Sequence, residues 1–190
     1  MFRSIGIILL LALTAPALAE GPSYNYFEGA YQRVDIDDNF INVDGNGFRI
    51  GGSIELAENW HFFGGYSSTD FDFGVDLDEL SIGGGFHTDL TPTLDFVANL
   101  AYVRLDASAN GFSLDDDGIG AEIGLRSMLS DSLELAGFIQ YIDLGDSGDE
   151  TSLRGEAWYS FTENFAVGLN VGAGDDVLRY GIGARFYFGN

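Results

Sequence analysis

The chain of 190 residues contains no cysteine. A disulfide-stapled secreted scaffold is therefore excluded, and stability has to come from burial or from a membrane. Basic residues are scarce: eight arginines and lysines stand against thirty acids, for a formal net charge of −22. Phosphates would repel such a chain, so nucleic-acid binding is excluded as a role. Beyond the first nineteen residues no long unbroken apolar stretch exists, which excludes a transmembrane helix. No linker and no peptidoglycan-binding segment follows the last strand-like run, so a single domain is expected.

What is present begins with a leader. Arg3 and the amino terminus give a positive start, Ile5 to Ala15 is a short apolar run, and Ala17-Leu18-Ala19 carries small residues where a signal peptidase reads. Residues 1–19 are expected to be a secretory signal cleaved before Glu20, leaving residues 20–190 as an outer-membrane β-barrel domain. The remaining composition is 46% apolar and 14% aromatic with 27 glycines, yet strongly acidic. A barrel in a membrane reconciles these, with apolar side chains on lipid and polar ones toward the lumen and the two aqueous ends.

Period-two alternation runs almost throughout and predicts ten strands: 23–35, 46–57, 59–72, 77–88, 93–107, 116–129, 132–145, 150–162, 164–174 and 177–188. Eight strands is the alternative if 164–174 and one other run are misread. Glu58-Asn59, Asp89 to Pro92, Ser130-Asp131 and Glu163-Asn164 read as tight turns, and the other five connections are longer or richer in Asp and Gly. Charge falls on one face only. Glu28, Glu55, Asp95, Glu122, Glu134 and Glu156 share the face opposite the apolar one with Arg49, Arg126, Arg154, Arg179 and Arg185. In a narrow barrel these would pair, since an unpaired buried charge is costly. Ten strands give a lumen only slightly wider than one that side chains fill, so a plugged or very narrow lumen is expected. A soluble antiparallel barrel or sandwich would instead leave these arginines in water.

Two aromatic girdles can be drawn. Trp60, Phe86, Phe161, Phe165 and Phe188 lie near the tight turns, and Tyr31, Tyr66, Tyr102 and Tyr141 near the long connections. The tips of the long connections hold nineteen of the acids, among them Asp35, Asp37, Asp38 and Asp44, Asp76 and Asp78, Asp115 to Asp117, Asp146, and Asp175. These suit either a solvated crown or hard divalent cations such as Ca²⁺ or Mg²⁺ bridging to lipopolysaccharide phosphates. Asp35-Ile36-Asp37-Asp38-Asn39 and Asp115-Asp116-Asp117-Gly118 resemble calcium loops only loosely. Arg33 and Arg104 fall on the lipid-facing parity near the same rim, where they could snorkel or grip phosphates.

The last strand reads Gly183-Ala184-Arg185-Phe186-Tyr187-Phe188 and resembles the carboxy-terminal assembly signal of bacterial outer-membrane proteins, although Gly189 and Asn190 follow where that signal usually stops. Ser23 to Tyr31 and Phe62-Phe63-Gly64-Gly65-Tyr66 resemble small Gram-negative outer-membrane barrels of the opacity and OmpX-like class. The resemblance implies recognition by the barrel-assembly machinery. It also implies a role as adhesin, surface antigen, membrane-stabilising protein or narrow channel, and it carries no residue-level binding site.

Enzyme chemistry finds little support. The two histidines, His61 and His87, point inward near tight turns, and nothing sets Ser67, Ser81 or Ser160 beside a histidine and an orienting acid. No catalytic, cofactor-binding or metal-ligating residue is assigned, and no cofactor. The sequence thus predicts an all-β, up-and-down antiparallel transmembrane barrel in the outer membrane, monomeric, touching lipid and lipopolysaccharide. Its role is read as structural or surface interaction without catalysis, with a narrow ion or solute channel as the alternative and a lipid-modifying enzyme as a distant third.

Overall fold

A computed structural model describes residues 21–37, 42–109, 111–145, 148–174 and 176–189. Ten strands run in chain order: β1 Tyr26–Asp37, β2 Asn42–Ala57, β3 Trp60–Phe71, β4 Val75–Thr91, β5 Leu94–Ala109, β6 Phe112–Ser130, β7 Leu133–Asp143, β8 Asp149–Thr162, β9 Phe165–Gly174 and β10 Val177–Tyr187. Each pairs antiparallel with its sequence neighbour, and β1 pairs with β10, closing the barrel. Closure leaves no unpaired edge, which a strand in hydrocarbon could not tolerate. The structure thus decides for ten strands rather than eight, and residues 164–174 form a true strand, β9.

The register explains why the alternation was readable. Glu28 stands opposite Arg185 on β10 and Gly51 on β2, so one parity faces the lumen around the whole circumference. The other parity faces out: Phe27, Ile50, Leu100, Leu153, Leu169 and Ile182 are all more than half exposed. In water that exposure would be a large liability, whereas in a bilayer it is the contact surface. At the short-turn end Trp60 packs edge-on to Phe86, with centroids 5.3 Å apart, and Phe27 stacks on Phe188 at 5.0 Å. At the other end Tyr31, Tyr102, Tyr141 and Tyr180 are exposed on the same outer face.

Two features escape the alternation. Each short hairpin carries a β-bulge just before its turn, where the register skips Leu56, Leu90, Leu129 and Phe161. The extra residue tightens the local twist, and Leu56, Leu90 and Phe161 are displayed on the outer rim. The run read as starting at residue 23 enters the sheet only at Tyr26. The segment before it turns into the lumen, where Tyr24 is buried.

A closed ladder of this kind resists detergent. The unheated protein should run on a denaturing gel as a compact band that shifts on boiling; one band at both temperatures would contradict a closed barrel.

Candidate functional site

Four glutamates and four arginines meet in the short-turn half of the lumen. Glu28, Glu122, Glu134 and Glu156 come from β1, β6, β7 and β8, and Arg49, Arg126, Arg154 and Arg185 from β2, β6, β8 and β10. The pairs form one connected chain. Arg154 bonds Glu122 at 2.5 Å and also Glu156. Arg185 reaches Glu28 at 2.7 Å, Glu156 at 3.2 Å and Glu134 at 3.6 Å. Arg49 pairs with Glu28 at 3.0 Å, and Arg126 with Glu134 at 2.8 Å. Among these eight the formal charges cancel, while Asp95, buried beside them and bonded to Tyr24, adds one further acid.

Aromatic rings fill the gaps between the ions. The Arg185 guanidinium lies 4.1 Å from the ring centres of both Tyr26 and Trp158, and Arg126 lies 4.5 Å from that of Tyr24. The Trp158 indole donates to Glu156 at 2.9 Å. The chain has no lysine. A flat guanidinium can stack on a ring and still bond two carboxylates, which an ammonium cannot. Glycine makes the room: a Cβ on Gly168 would sit 2.4 Å from the Trp158 ring, and one on Gly85 would sit 2.1 Å from the Asn99 oxygen.

The histidines join this network. Their Nδ1 atoms are 3.1 Å apart, and His61 Nε2 lies 3.0 Å from Asn99 Oδ1. Asn99 uses its amide to donate to Glu122 at 2.9 Å, so its oxygen must accept from His61. In the neutral pair His61 Nδ1 then accepts from His87. Tyr24 stacks on His87 with centroids 3.7 Å apart and donates to Asp95 at 2.9 Å. Arg126 also donates to the Ser23 carbonyl at 3.0 Å, pinning residues 21–25 under the barrel. Tyr24 falls in the run read as 23–35 on the parity of Glu28, so the alternation gives it the lumen side, but not its partners, because it precedes the strand.

Above this floor lies a cavity of about 280 Å³. Glu28, Arg49, Glu122 and Arg154 form its base, and the Gln32–Thr69 hydrogen bond of 3.1 Å crosses its wall. Farther out the lining becomes more apolar, with Val34, Ile36, Phe71, Leu77, Val103 and Val177 beside the charged Glu79 and Arg179. On the same stretches the outward positions are acidic: Asp35 and Asp37 alternate with Val34 and Ile36, Asp76 and Asp78 with Leu77, and Asp106 with Leu105. The polarity of the wall therefore inverts beyond the tyrosine girdle. Most of the acids expected at loop tips stand on paired strands instead, because β4, β5 and β6 run farther out than the alternation suggested.

Several expectations need correction. Glu55 lies exposed at the short-turn rim, where the bulge begins, outside the ion-pair chain. Arg179 sits in the outer half and meets Glu150 at 3.4 Å, away from the floor. Asp95 bonds Tyr24 instead of an arginine. Asp115 to Asp117 belong to β6, where alternation sends Asp116 to the opposite face from its neighbours, so they form no calcium loop. Asp38 and Asn39 of the other loose calcium motif, with Asp146 and Asp175, lie outside the described residues. Among the described residues no three acid or histidine side chains converge as a metal site. Arg33 is held by Asp35 at 3.0 Å and Asp44 at 2.5 Å, and Arg104 by Asp106 at 3.1 Å and Asp115 at 3.2 Å. Each arginine is thus outnumbered by carboxylates and ill placed to grip a phosphate. No hydrogen bond joins Ser67, Ser81 or Ser160 to a histidine among the described residues.

A profile of the outer membrane protein beta-barrel domain matches residues 5–171. The chain belongs to that family. It is an outer-membrane protein. No curated protein matches it in sequence. Among solved structures, the KdgM porin in complex with disordered oligogalacturonate is 11% identical, with a TM-score of 0.50 over 86% of this chain and 99% of that one. The beta domain of the Bordetella autotransporter BrkA is 13% identical, with a TM-score of 0.51 over the same shares. The attachment invasion locus protein Ail of Yersinia pestis is 14% identical, with a TM-score of 0.46 over 87% of this chain and 100% of that one. The first two likenesses show the barrel fold alone.

Removing one member of a buried ion-pair chain strands its partners. Arg185→Ala should cost about 3–5 kcal/mol of folding free energy, and Arg185→Lys should recover only part of it. Urea unfolding of the refolded protein in lipid measures both. Gly85→Val should displace the His61–Asn99 contact and cost about 1–3 kcal/mol in the same assay.

Proposed function

We propose that this protein is a non-enzymatic surface protein of the outer membrane whose work is done outside the bilayer, in membrane integrity, adhesion or display as an antigen. One observation carries the reading. The lumen is crossed by a floor of paired ions and packed rings, while the strands that rise above the tyrosine girdle turn most of their aspartates outward. A plugged cylinder with a charged outer wall is suited to contact and poorly suited to flow. Cleavage before Glu20 and delivery by the barrel-assembly machinery through the Gly183–Phe188 strand belong to the same reading. The outward aspartates would meet lipopolysaccharide phosphates through divalent counter-ions held diffusely.

The second reading, a narrow channel, draws on the outer cavity of about 280 Å³. Bilayer recording separates the two. The surface reading expects a silent bilayer from the wild-type protein and adherence by cells that display it; a stable, reproducible conductance would transfer the role to transport.

A further inference from the structure

The longest outward excursions of the barrel end in apolar side chains set in water. Phe73 is 82% exposed at the β3–β4 turn, and Phe112 and Leu114 are 83% and 73% exposed where β6 leaves the β5–β6 turn. The two tips are neighbours: Phe71 pairs with Val75, Val75 with Ala109 and Ala109 with Phe112. They stand well clear of lipid. Phe71, the last residue of β3, is five residues beyond the girdle residue Tyr66, and Ala109 is seven beyond Tyr102, which at about 3.4 Å per residue is roughly 17 to 24 Å of strand. Anchoring in the bilayer therefore does not account for them.

Nor does the fold gain from them. Phe73 sits at φ +67°, the left-handed region that favours glycine, and it is the one non-glycine residue with positive φ among the described residues. A phenylalanine held there, with most of its surface in solvent, burdens the turn and buries little in return. Around the tips stand the carboxylates of Asp72 and Asp76, with that of Asp115 farther down β6 and already shared with Arg104. Rings and aliphatic groups inside an acidic border complement a partner surface of the opposite character.

We propose that the paired β3–β4 and β5–β6 tips form a docking surface for a cationic, amphipathic polypeptide segment, with Phe73, Phe112 and Leu114 as the apolar anchors and the bordering aspartates selecting lysine and arginine. This rests on the surface-interaction reading and names its partner class. An anionic membrane is the weaker fit, because the same aspartates would repel it.

The test uses the mature chain in phosphatidylcholine nanodiscs and a fluorescein-labelled peptide built from lysine and tryptophan, beside a lysine–serine peptide of equal charge. The triple variant Phe73→Ser/Phe112→Ser/Leu114→Ser should bind the lysine–tryptophan peptide at least about tenfold more weakly than wild type, while the lysine–serine peptide binds both weakly and alike. Phe73→Gly, which relaxes the turn while deleting one ring, should retain the heat-shifted gel band and still lose affinity. Equal affinity of wild type and triple variant, or equal uptake by empty nanodiscs, overturns the proposal. Cell adherence separates it from the reading beneath it. Adherence that is indifferent to the triple variant sinks the docking surface alone, whereas absence of adherence by wild-type cells sinks both.

Discussion

The constraint on which the rest depends is that ions in the inner half of the barrel are largely cut off from water. Hydrocarbon lies behind the wall and aromatic rings lie between the charges, so each carboxylate and guanidinium must be satisfied by another lumen group. The chain meets most of this with four glutamates and four arginines linked through shared partners, and among the described residues Asp95 Oδ1 and Arg185 Nη1 are left without a hydrogen bond. Glu156 alone holds Arg154, Arg185 and, more distantly, Arg49. Sharing makes the network cooperative: loss of one member leaves several others under-bonded, and it fixes the strands in register as well as in sequence. The glycines facing the lumen, Gly85 and Gly168 among them, follow from the same demand, because a ring or an imidazole occupies the volume that a side chain there would need.

Alternation made most of the fold legible. A strand half in lipid must be apolar on every second residue, so strand number, the four tight turns and the side on which charge falls could all be read from residue order. The same logic could not say which charges meet. Parity gives the face of a residue but not its height, and height is set by the stagger of tilted strands. Thus Arg179 and Glu55 share the parity of Arg185 and Glu156 yet sit at opposite ends of the barrel. Tyr24 was legible only in part. It shares the parity of Glu28 in the run read as 23–35, but it lies before the first strand, and its contact with Asp95 and the hold of Arg126 on Ser23 join residues far apart in the chain.

The acids show how a pattern can be counted correctly and still be misassigned. Their number at one end was plain, but reading them as loop tips assumed that strands stop where the apolar-out pattern stops. That pattern stops because the solvent changes. Beyond the tyrosine girdle the outer wall meets water, and the favourable alternation reverses, with valine, isoleucine and leucine inside and aspartate outside. The hydrogen-bond ladder continues across the boundary, so Asp76 pairs with Asp70 and with Ser108 as regularly as any membrane residue. A strand of constant geometry thus carries two opposite polarity codes, and the point of reversal marks the membrane surface.

This reversal divides the labour within one sheet. The inner half is cross-linked by its shared ion pairs. The outer half is a continuation of the same ladder, closed around a lining that mixes aliphatic residues with Glu79 and Arg179. Arg33 and Arg104 stand at the junction, each bridging two aspartates of adjacent strands, β1 with β2 and β5 with β6. Exposed pairs of this kind add little stability. What they add is charge compensation where outward aspartates would otherwise face one another across a hairpin, as Asp35 faces Asp44 and Asp106 faces Asp115. Repulsion between those opposed pairs would splay the hairpins that reach farthest from the bilayer. With an arginine between each pair, the chain can keep an acidic outer wall on strands that remain paired to their tips.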